Sequence, residues 1–386
     1  IRSIMVFLQS HGVGTARATR IYKTYGDESI KIVSENPYRL AKHIRGIGFI
    51  SSDQIARNLG IAEGSIIRAR AGINHILLEA NSNGHCGLPK EQLLEQTQKL
   101  LNIDVSIIEH GLLEEIKYRD VIQDQLGQIE GIFSSVYYHY EAGIANMLHS
   151  INTAPCPWKS IDSDKLIPWV EKRLRIELAE NQRLAIETAL RTKVMVITGG
   201  PGTGKTTLVN GVLTILREQK LSIKLCAPTG RAAKRLTETT HMEALTIHRL
   251  LGRDAQSYGF HHNENNQLAC DYLVIDEASM VDVSLFYALL KAIPKNCAIL
   301  LVGDVDQLPS VGAGFVLGDI INSNNIKTIQ LNRVFRQSSG SNIISHAHAI
   351  NKGIIPDLSH PQENEESDFY FIETEDENLP SKLVHL

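Results

Sequence analysis

The stretch GGPGTGKTT, residues 199–207, fills the phosphate-binding pattern G-x-x-x-x-G-K-[ST]. Its glycines let successive backbone N–H groups turn toward phosphate oxygens; Lys205 can reach the β- and γ-phosphates, and the Thr206 hydroxyl can ligate Mg²⁺. The apolar run VMVITG before it predicts a buried strand, and TTLVNGVLTILREQ after it has helical spacing. An anion is favoured at such a helix N-terminus. The residues predicted to bind the nucleotide here are Gly200, Pro201, Gly202, Thr203, Gly204, Lys205, Thr206 and Thr207.

Two later apolar runs end in acidic and amide side chains. In DYLVIDEAS (271–279), Asp276 is predicted to hold Mg²⁺ together with Thr206, and Glu277 to orient or deprotonate the attacking water. In AILLVGDVDQLPSVGAG (298–314), Gln307 is predicted to sense the γ-phosphate at the same sheet edge. The alternative is that Asp276 and Glu277 only cap the next helix. A P-loop upstream favours the catalytic interpretation.

Bulk composition excludes little. The chain has 386 residues, enough for about two to four domains. Its net charge of −4 gives no nucleic-acid signal, but residues 1–70 hold 11 Lys or Arg against 5 Asp or Glu, a net of +6 by subtraction. Five scattered cysteines without a C-x-x-C pair indicate a reduced, cytoplasmic protein rather than a zinc or disulfide framework. No apolar run is long enough to span a bilayer, so no membrane partner is expected.

The N-terminal segment contains a repeated glycine turn. HGVG (11–14) and RGIGF (45–49) both contain a glycine, an apolar residue and a second glycine, about 34 positions apart. This repeat predicts a tandem helix-hairpin-helix region over residues 1–75. Such turns direct backbone N–H groups at DNA phosphates and position a protein without reading sequence. The alternative is an ordinary αα-turn with glycine caps. The predicted DNA contacts are Gly12, Gly14, Gly46 and Gly48, with charge added by Arg17, Arg20, Lys42 and Arg57.

The remaining chain divides into segments of different pattern. Strand signals alternate with helical stretches in the motor-like segment, which predicts a parallel, doubly wound α/β sheet. The tyrosines at 137–140 either stack on bases or, as we favour, pack half-buried. The expected divisions are 76–150, helical and winged-helix-like; 151–164, a linker; 165–328, an α/β lobe with an inserted hairpin or plain surface loop at 252–270; and 329–386, a further element with an acidic end.

Together these motifs resemble the RecD-like superfamily 1 helicases, most closely the long bacterial form with a helix-hairpin-helix region ahead of the motor. ENQRLAIETAL (180–190) looks like that family's Q motif, which would put Gln182 on the adenine. APTGRAAKRL (227–236) and TIHRLLG (246–252) resemble its strand-contacting motifs. NRVFRQ (332–337) resembles motif IV, with Arg336 as an arginine finger. The DNA contacts implied for the motor are Thr229, Gly230, Arg231, His248 and Arg249.

Part of this interpretation stands without the family. Thr229 and Gly230 follow a predicted strand at its carboxyl end, where open α/β sheets bind ligands. Arg231, Lys234 and Arg235 then supply positive charge for phosphates, the alternative being a solvated surface.

The resemblance implies an α/β P-loop NTPase that uses ATP and Mg²⁺ to move 5′ to 3′ on single-stranded DNA, in repair or recombination. Single-stranded DNA and single/double-strand junctions are the implied partners. The late motifs of a second motor lobe are missing from this sequence, so we expect 329–386 to be an incomplete second lobe. A fragment of this kind is expected to bind nucleotide without necessarily unwinding DNA. The alternatives are a non-translocating P-loop switch or DNA-binding scaffold, and a motor on RNA.

Overall fold

The computed structural model describes residues 1–159, 163–253, 259–331, 341–358, 367–374 and 379. The chain divides into two compact units. The first holds Ile1–Ala145 together with Asp282–Tyr287 and Ser310–Gly314; the second holds Asn146–Val281, Ala288–Pro309 and Phe315–Leu386.

The first unit begins with five short helices around a small apolar core. Leu8, Ile21 and Leu40 are fully buried in this core. Gly12 and Gly46 adopt φ of +87° and +84° in the two glycine turns, a conformation that side-chain-bearing residues rarely adopt. The repeated pattern therefore produces two helical hairpins. The helices are α1 (Arg2–Ser10), α2 (Thr15–Tyr25), α3 (Ser29–Glu35), α4 (Arg39–His43) and α5 (Phe49–Asn58).

The next elements run in the order helix, strand, helix, helix, strand, strand. Their strands form an antiparallel sheet of order β1-β3-β2. Gly72 and Gly111 let neighbouring elements approach closely, since a Cβ at either would meet Leu101 or Ala69 within about 3 Å. The winged-helix-like arrangement and the limits 76–150 both stay predictions. The elements are α6 (Ile66–Ser82), β1 (Gly87–Pro89), α7 (Lys90–Leu101), α8 (Val105–Lys117), β2 (Val121–Leu126), β3 (Ile129–Ser134) and the following α9 (Ser135–Asn152).

The second unit contains a six-stranded parallel sheet of order β6-β5-β7-β8-β4-β9. Its central strands β4, β7 and β8 are buried along their whole length, which explains their continuous apolar sequences. The α/β P-loop fold is thus confirmed. The elements from residue 163 onward are α10 (Ser163–Leu174), α11 (Glu180–Arg191), β4 (Val194–Gly199), α12 (Lys205–Glu218), β5 (Ile223–Ala227), α13 (Gly230–Thr240), β6 (Ala244–Thr246), α14 (Ile247–Leu251), β7 (Tyr272–Ile275), α15 (Val283–Ala292), β8 (Ala298–Gly303), α16 (Val316–Asn322), β9 (Lys327–Leu331) and α17 (Asn342–Asn351). The part of α15 up to Tyr287 belongs to the first unit.

Two details bear on the expected segment limits. Strand β9 pairs with β4 up to Leu331, so the sheet continues three residues past position 328. Within 252–270, isolated antiparallel bridges join Arg253 to Phe260 and Asn263 to Asn266, as in a small hairpin, while 254–258 lie outside the described residues. Across the described ranges, no helix combines the length and apolarity that crossing a bilayer requires.

Candidate nucleotide and DNA sites

Three adjacent parallel strands bring the predicted catalytic residues to one edge of the sheet. β4 lies beside β8, and β8 beside β7, with Thr198 opposite Gly303 and Ile275 opposite Leu301. The carboxyl ends of parallel strands meet at one edge, where α/β sheets bind ligands. The segments after β4, β7 and β8 carry the P-loop, Asp276 and Asp304, respectively. Residues more than a hundred positions apart therefore line one site.

The P-loop itself is a turn that glycine makes possible. Gly202 and Gly204 adopt φ of +74° and +85°, and Gly204 is the N-cap of α12. Thr203 is buried and donates its hydroxyl to the Gly200 carbonyl oxygen over 2.8 Å. The side chain of Lys205 bends back along the loop, and its Nζ donates to the carbonyl oxygens of Gly199 and Gly200. The lysine therefore lies within the concavity that its own loop forms.

Three carboxylates lie close enough to Lys205 to affect its pKa. Burial lowers the pKa of its amine, and the nearby carboxylates of Asp304, Glu277 and Asp276 act in the opposite direction. Burial and the charge of Glu277 raise the pKa of Asp276, while the Glu277 N–H, Arg235 and Lys205 oppose this rise. A bound cation would act against this rise and favour the ionised form of Asp276.

The donor chemistry fits magnesium. Across the part of the chain that the structure describes, no three His, Cys, Asp or Glu residues come together as a metal cluster. Mg²⁺ commonly takes one or two protein oxygens and completes its shell with water and phosphate oxygens. The Asp276 carboxylate and the Thr206 hydroxyl are oxygen donors of this hard type, and Thr206 lies in the first turn of α12. These two residues would hold the ion.

Glu277 has an unusual backbone conformation. Its φ of +50° lies in the left-handed region, which residues other than glycine seldom occupy, and it precedes a short 3₁₀ turn. Conformations of this kind cluster at functional sites, where the surrounding structure maintains them. Helix capping alone, the alternative interpretation, does not require this strain.

The loop after β8 is internally braced. Asp304 is 2% exposed, and its Oδ2 accepts a hydrogen bond of 3.0 Å from Gln307 Nε2. The backbone N–H of Asp306 donates to the other oxygen of Asp304 over 3.2 Å. Gln307 is thereby held close to the carboxylate that acts on Lys205. Its predicted role as a γ-phosphate sensor stays a prediction.

Two buried hydroxyls at this edge were not predicted from the sequence to belong to the site. Thr198 Oγ1, at the end of β4, and Ser279 Oγ, after Glu277, have no hydrogen-bond partner in the described structure. Buried polar atoms are nearly always paired, so unpaired ones beside a ligand site are candidates for contacts with ligand or water. The only signal in the sequence was their position next to the glycines and acids of the motifs.

The structure does not test the roles predicted for Gln182 and Arg336. Gln182 is buried in the first turn of α11, and its Oε1 accepts a hydrogen bond of 3.1 Å from the Ala179 N–H. It therefore caps its own helix, and its contact with adenine stays a prediction. Arg336, the predicted arginine finger, lies outside the described residues.

The predicted strand-contacting residues follow β5 and β6. Thr229 caps α13 by accepting a hydrogen bond of 3.3 Å from the Ala232 N–H, and Gly230 begins that helix. Arg231 and Lys234 are exposed on α13, while Arg235, on the same helix, lies close enough to affect Asp276. His248 and Arg249 are exposed on α14. Exposed cations therefore lie on two helices that begin at the same sheet edge as the nucleotide loop.

Each helical hairpin of the first unit donates a hydrogen bond to the glycine turn of the other. Asn58 Nδ2 of α5 donates to the His11 carbonyl oxygen over 3.0 Å, and Arg20 of α2 donates to the carbonyl oxygen of Arg45. Arg20 is thus engaged in holding the other turn. Similarly, Lys42 pairs with Asp120 at 3.1 Å, and Arg57 pairs with Asp53 at 3.2 Å. The charge that these three residues were predicted to offer DNA is partly used within the fold.

The second glycine of each turn remains open. Gly14 and Gly48 are the N-caps of α2 and α5, and neither has a side-chain cap. A Cβ built on either would meet nothing within 4 Å. The space beside each of these N-caps is therefore open, as contact with a phosphate requires.

Comparisons with known proteins agree with these features. Residues 1–87 match the family described as "ATP-dependent RecD2 DNA helicase HHH domain", and residues 182–313 match the family described as "AAA domain". The chain is 31% identical over 366 residues to the ATP-dependent RecD2 DNA helicase of Deinococcus radiodurans, covering 92% of this chain and 50% of that protein. It is 40% identical over 189 residues to the RecBCD enzyme subunit RecD of Mycolicibacterium smegmatis, covering 42% and 34%.

Among solved structures, the Pif1 helicase of Candida albicans aligns with a TM-score of 0.39 and 24% identity over 50% of each chain. The chain spans half or less of the length of the two curated relatives named above. Its helical hairpins, P-loop sheet and long match to a RecD2 helicase converge on one assignment. In sequence the chain is RecD-like, since it resembles a RecD2 helicase over most of its own length.

Proposed function

We propose that this chain carries the nucleotide-binding and DNA-contacting parts of an ATP-dependent DNA helicase or translocase. The observation that carries the proposal is the position of Lys205 within the P-loop and near three carboxylates, Asp276, Glu277 and Asp304. The exposed cations of α13 follow the same sheet edge. The names of the relatives support DNA as the polymer on which the motor acts.

In the proposed reaction, the P-loop N–H groups and Lys205 bind the β- and γ-phosphates of ATP. Asp276 and Thr206 would hold Mg²⁺, which would neutralise charge on the phosphates. Glu277 orients the attacking water and accepts its proton. Gln307 senses the γ-phosphate, and Gln182 binds the adenine. Arg336 acts as the arginine finger.

The proposed DNA path uses Thr229, Gly230 and Arg231 on α13, and His248 and Arg249 on α14. Contacts of this type grip the phosphate backbone without reading sequence. The helical hairpins add duplex or junction affinity through their open turns. We also propose movement in the 5′ to 3′ direction and a role in DNA repair or recombination, as the resemblance to RecD-like helicases implies.

The decisive measurement is ATP hydrolysis by the full-length protein with and without single-stranded DNA. Strong stimulation by DNA would support a coupled motor, because the strand contacts would then control chemistry at the P-loop. Hydrolysis that is indifferent to DNA would favour a non-translocating switch or scaffold. Stimulation by RNA alone would indicate a motor on RNA.

Replacing Arg231 by alanine is expected to weaken single-stranded DNA binding similarly for all sequences. An exposed arginine that contacts phosphate contributes mainly through counterion release, so the slope of log K against log salt should fall by about 0.7 to 1. The measurement is fluorescence anisotropy with labelled oligonucleotides at several salt concentrations. Arg173→Ala, an exposed arginine in the last turn of α10, is the matched control. An unchanged slope in Arg231→Ala would exclude a phosphate contact.

Adding a methyl group at Gly14 and Gly48 is expected to weaken DNA binding about tenfold. The double change Gly14→Ala and Gly48→Ala meets no neighbouring atom and no positive φ, so the fold should persist. The new Cβ atoms would keep phosphate oxygens away from the helix N-termini; the loss of two phosphate contacts is worth roughly this factor. Duplex and junction binding by anisotropy measures the effect.

Ser65→Ala is the control for this experiment because Ser65 is the N-cap of α6, which lies outside the two hairpins and likewise lacks a side-chain cap. Circular dichroism verifies that helix content is unchanged in all variants. Wild-type DNA affinity in the double glycine variant would contradict phosphate binding by the turns.

A further inference from the structure

His348 of α17 rests on the first part of the P-loop. A Cβ built at Gly200 would lie 2.6 Å from Cε1 of His348, closer than side chains approach one another. The imidazole therefore packs directly on the backbone at Gly200, and glycine is what permits this approach. Lys205 Nζ donates to the carbonyl oxygens of Gly199 and Gly200. The ring thus lies against the same short stretch of backbone that the P-loop lysine reaches.

One nitrogen of this ring has no hydrogen-bond partner among the described residues. His348 Nε2 is buried and has no hydrogen-bond partner in the described part of the chain. Buried polar atoms are nearly always hydrogen bonded, so such an atom calls for a missing partner. A ring N–H needs an acceptor oxygen. Beside a P-loop, the acceptors that a ligand brings are phosphate oxygens.

The same helix is attached to the loop after β8. Asn351 Nδ2 donates to a carboxylate oxygen of Asp306 over 2.7 Å. Asn351 lies three residues after His348, so both side chains project from one side of α17. Asp306 in turn donates its backbone N–H to Asp304, which also accepts from Gln307. A single helix therefore contacts the P-loop and the loop that carries the predicted γ-phosphate sensor.

We propose that His348 donates a hydrogen bond from Nε2 to the terminal phosphate of a bound nucleoside triphosphate, which makes α17 a second sensor of the γ-phosphate. The proposal rests on the proposed nucleotide site. A P-loop lysine reaches the β- and γ-phosphates, and His348 lies against the carbonyl groups that Lys205 contacts. Loss of the terminal phosphate would release the ring, and the Asn351–Asp306 contact would carry this change to the Gln307 loop.

The test compares triphosphate and diphosphate affinity. The full-length protein is titrated with fluorescent ADP and with a fluorescent non-hydrolysable ATP analogue, both with Mg²⁺. His348→Phe keeps a ring of similar size and removes the donor. It is expected to weaken the triphosphate about tenfold and ADP less than about twofold, because only the triphosphate supplies the acceptor. His348→Gln places an amide N–H at a similar reach and is expected to retain most of the triphosphate affinity.

His346→Phe is the matched control on the same helix. Its Nδ1 also lacks a partner, but its ring packs edge-on against Phe369 with centroids 4.3 Å apart. This variant is expected to bind both nucleotides as the wild type does. Equal weakening of both nucleotides in His348→Phe would indicate a purely structural contact and overturn the proposal, as would wild-type affinity for both. Failure of the wild type to bind either nucleotide would overturn the proposed nucleotide site together with the role of His348.

Discussion

Lys205→Ala is expected to lower DNA-stimulated ATP hydrolysis by a factor of at least about 10² in the full-length protein. Lys205 is the cation inside the P-loop, and its Nζ already contacts the two carbonyl groups at the beginning of the loop. Phosphoryl transfer depends on charge stabilisation more than on covalent chemistry, so a missing cation raises the barrier directly. The measurement is release of inorganic phosphate at saturating single-stranded DNA.

Arg217→Ala is the control for this change. Arg217 is an exposed cation in the last turn of α12, the helix that Lys205 begins, and should leave the rate unchanged. Thermal unfolding of the nucleotide-free protein distinguishes loss of chemistry from loss of fold, because Lys205 also braces the loop. A Lys205→Ala variant that folds and hydrolyses ATP at near wild-type rates would remove Lys205 from the proposed mechanism.

Glu277→Gln is expected to lower the rate constant of hydrolysis by about 10² to 10⁴ while nucleotide affinity stays within a few-fold of wild type. The substitution preserves size and hydrogen-bonding reach but removes the base. Removing one negative charge from the group around Lys205 and Asp276 should not weaken, and is expected to strengthen slightly, the binding of a polyanion. Single-turnover hydrolysis and separate nucleotide titrations distinguish the two effects.

The acid at the other end of β7 provides the control. Asp271 accepts a hydrogen bond of 2.8 Å from the Ser222 N–H, at the opposite edge of the sheet from the P-loop. Asp271→Asn is expected to affect stability more than the rate constant. If Glu277→Gln loses affinity and rate in parallel, Glu277 holds the nucleotide rather than activating water. In that case the left-handed backbone at Glu277 serves binding geometry instead.

Much of the nucleotide site was predictable because its signals are local. The runs before Gly199, Asp276 and Asp304 are apolar throughout, as strands buried on both faces require, and each is followed by polar residues. Parallel strands place their carboxyl ends together, so the shared edge followed from the strand pattern. The helix after the P-loop and the two glycine turns were readable in the same way, since glycine at these positions serves a backbone conformation.

Other roles depend on neighbours that are distant in the chain. Arg20 carries charge that suits DNA, yet it holds the carbonyl of Arg45 in the second hairpin. Gln182 lies in a motif associated with adenine, and its Oε1 is engaged in a cap at Ala179. Nothing in the local pattern around these residues shows which partner their long, flexible side chains find.

The sequence by itself determined the fold class, the phosphate-binding loop, the acids that accompany it and the repeated helical hairpin. Each of these follows from periodicity or from the backbone freedom of glycine within a few neighbouring residues. Only the tertiary structure decided the strand order β6-β5-β7-β8-β4-β9 and the hydrogen bonds that each hairpin donates to the turn of the other. It also decided the contact of His348 with Gly200, which joins residues 148 positions apart in the chain. Such contacts arise from the packing of whole elements, and packing depends on the shape of every surface involved rather than on any one stretch of sequence.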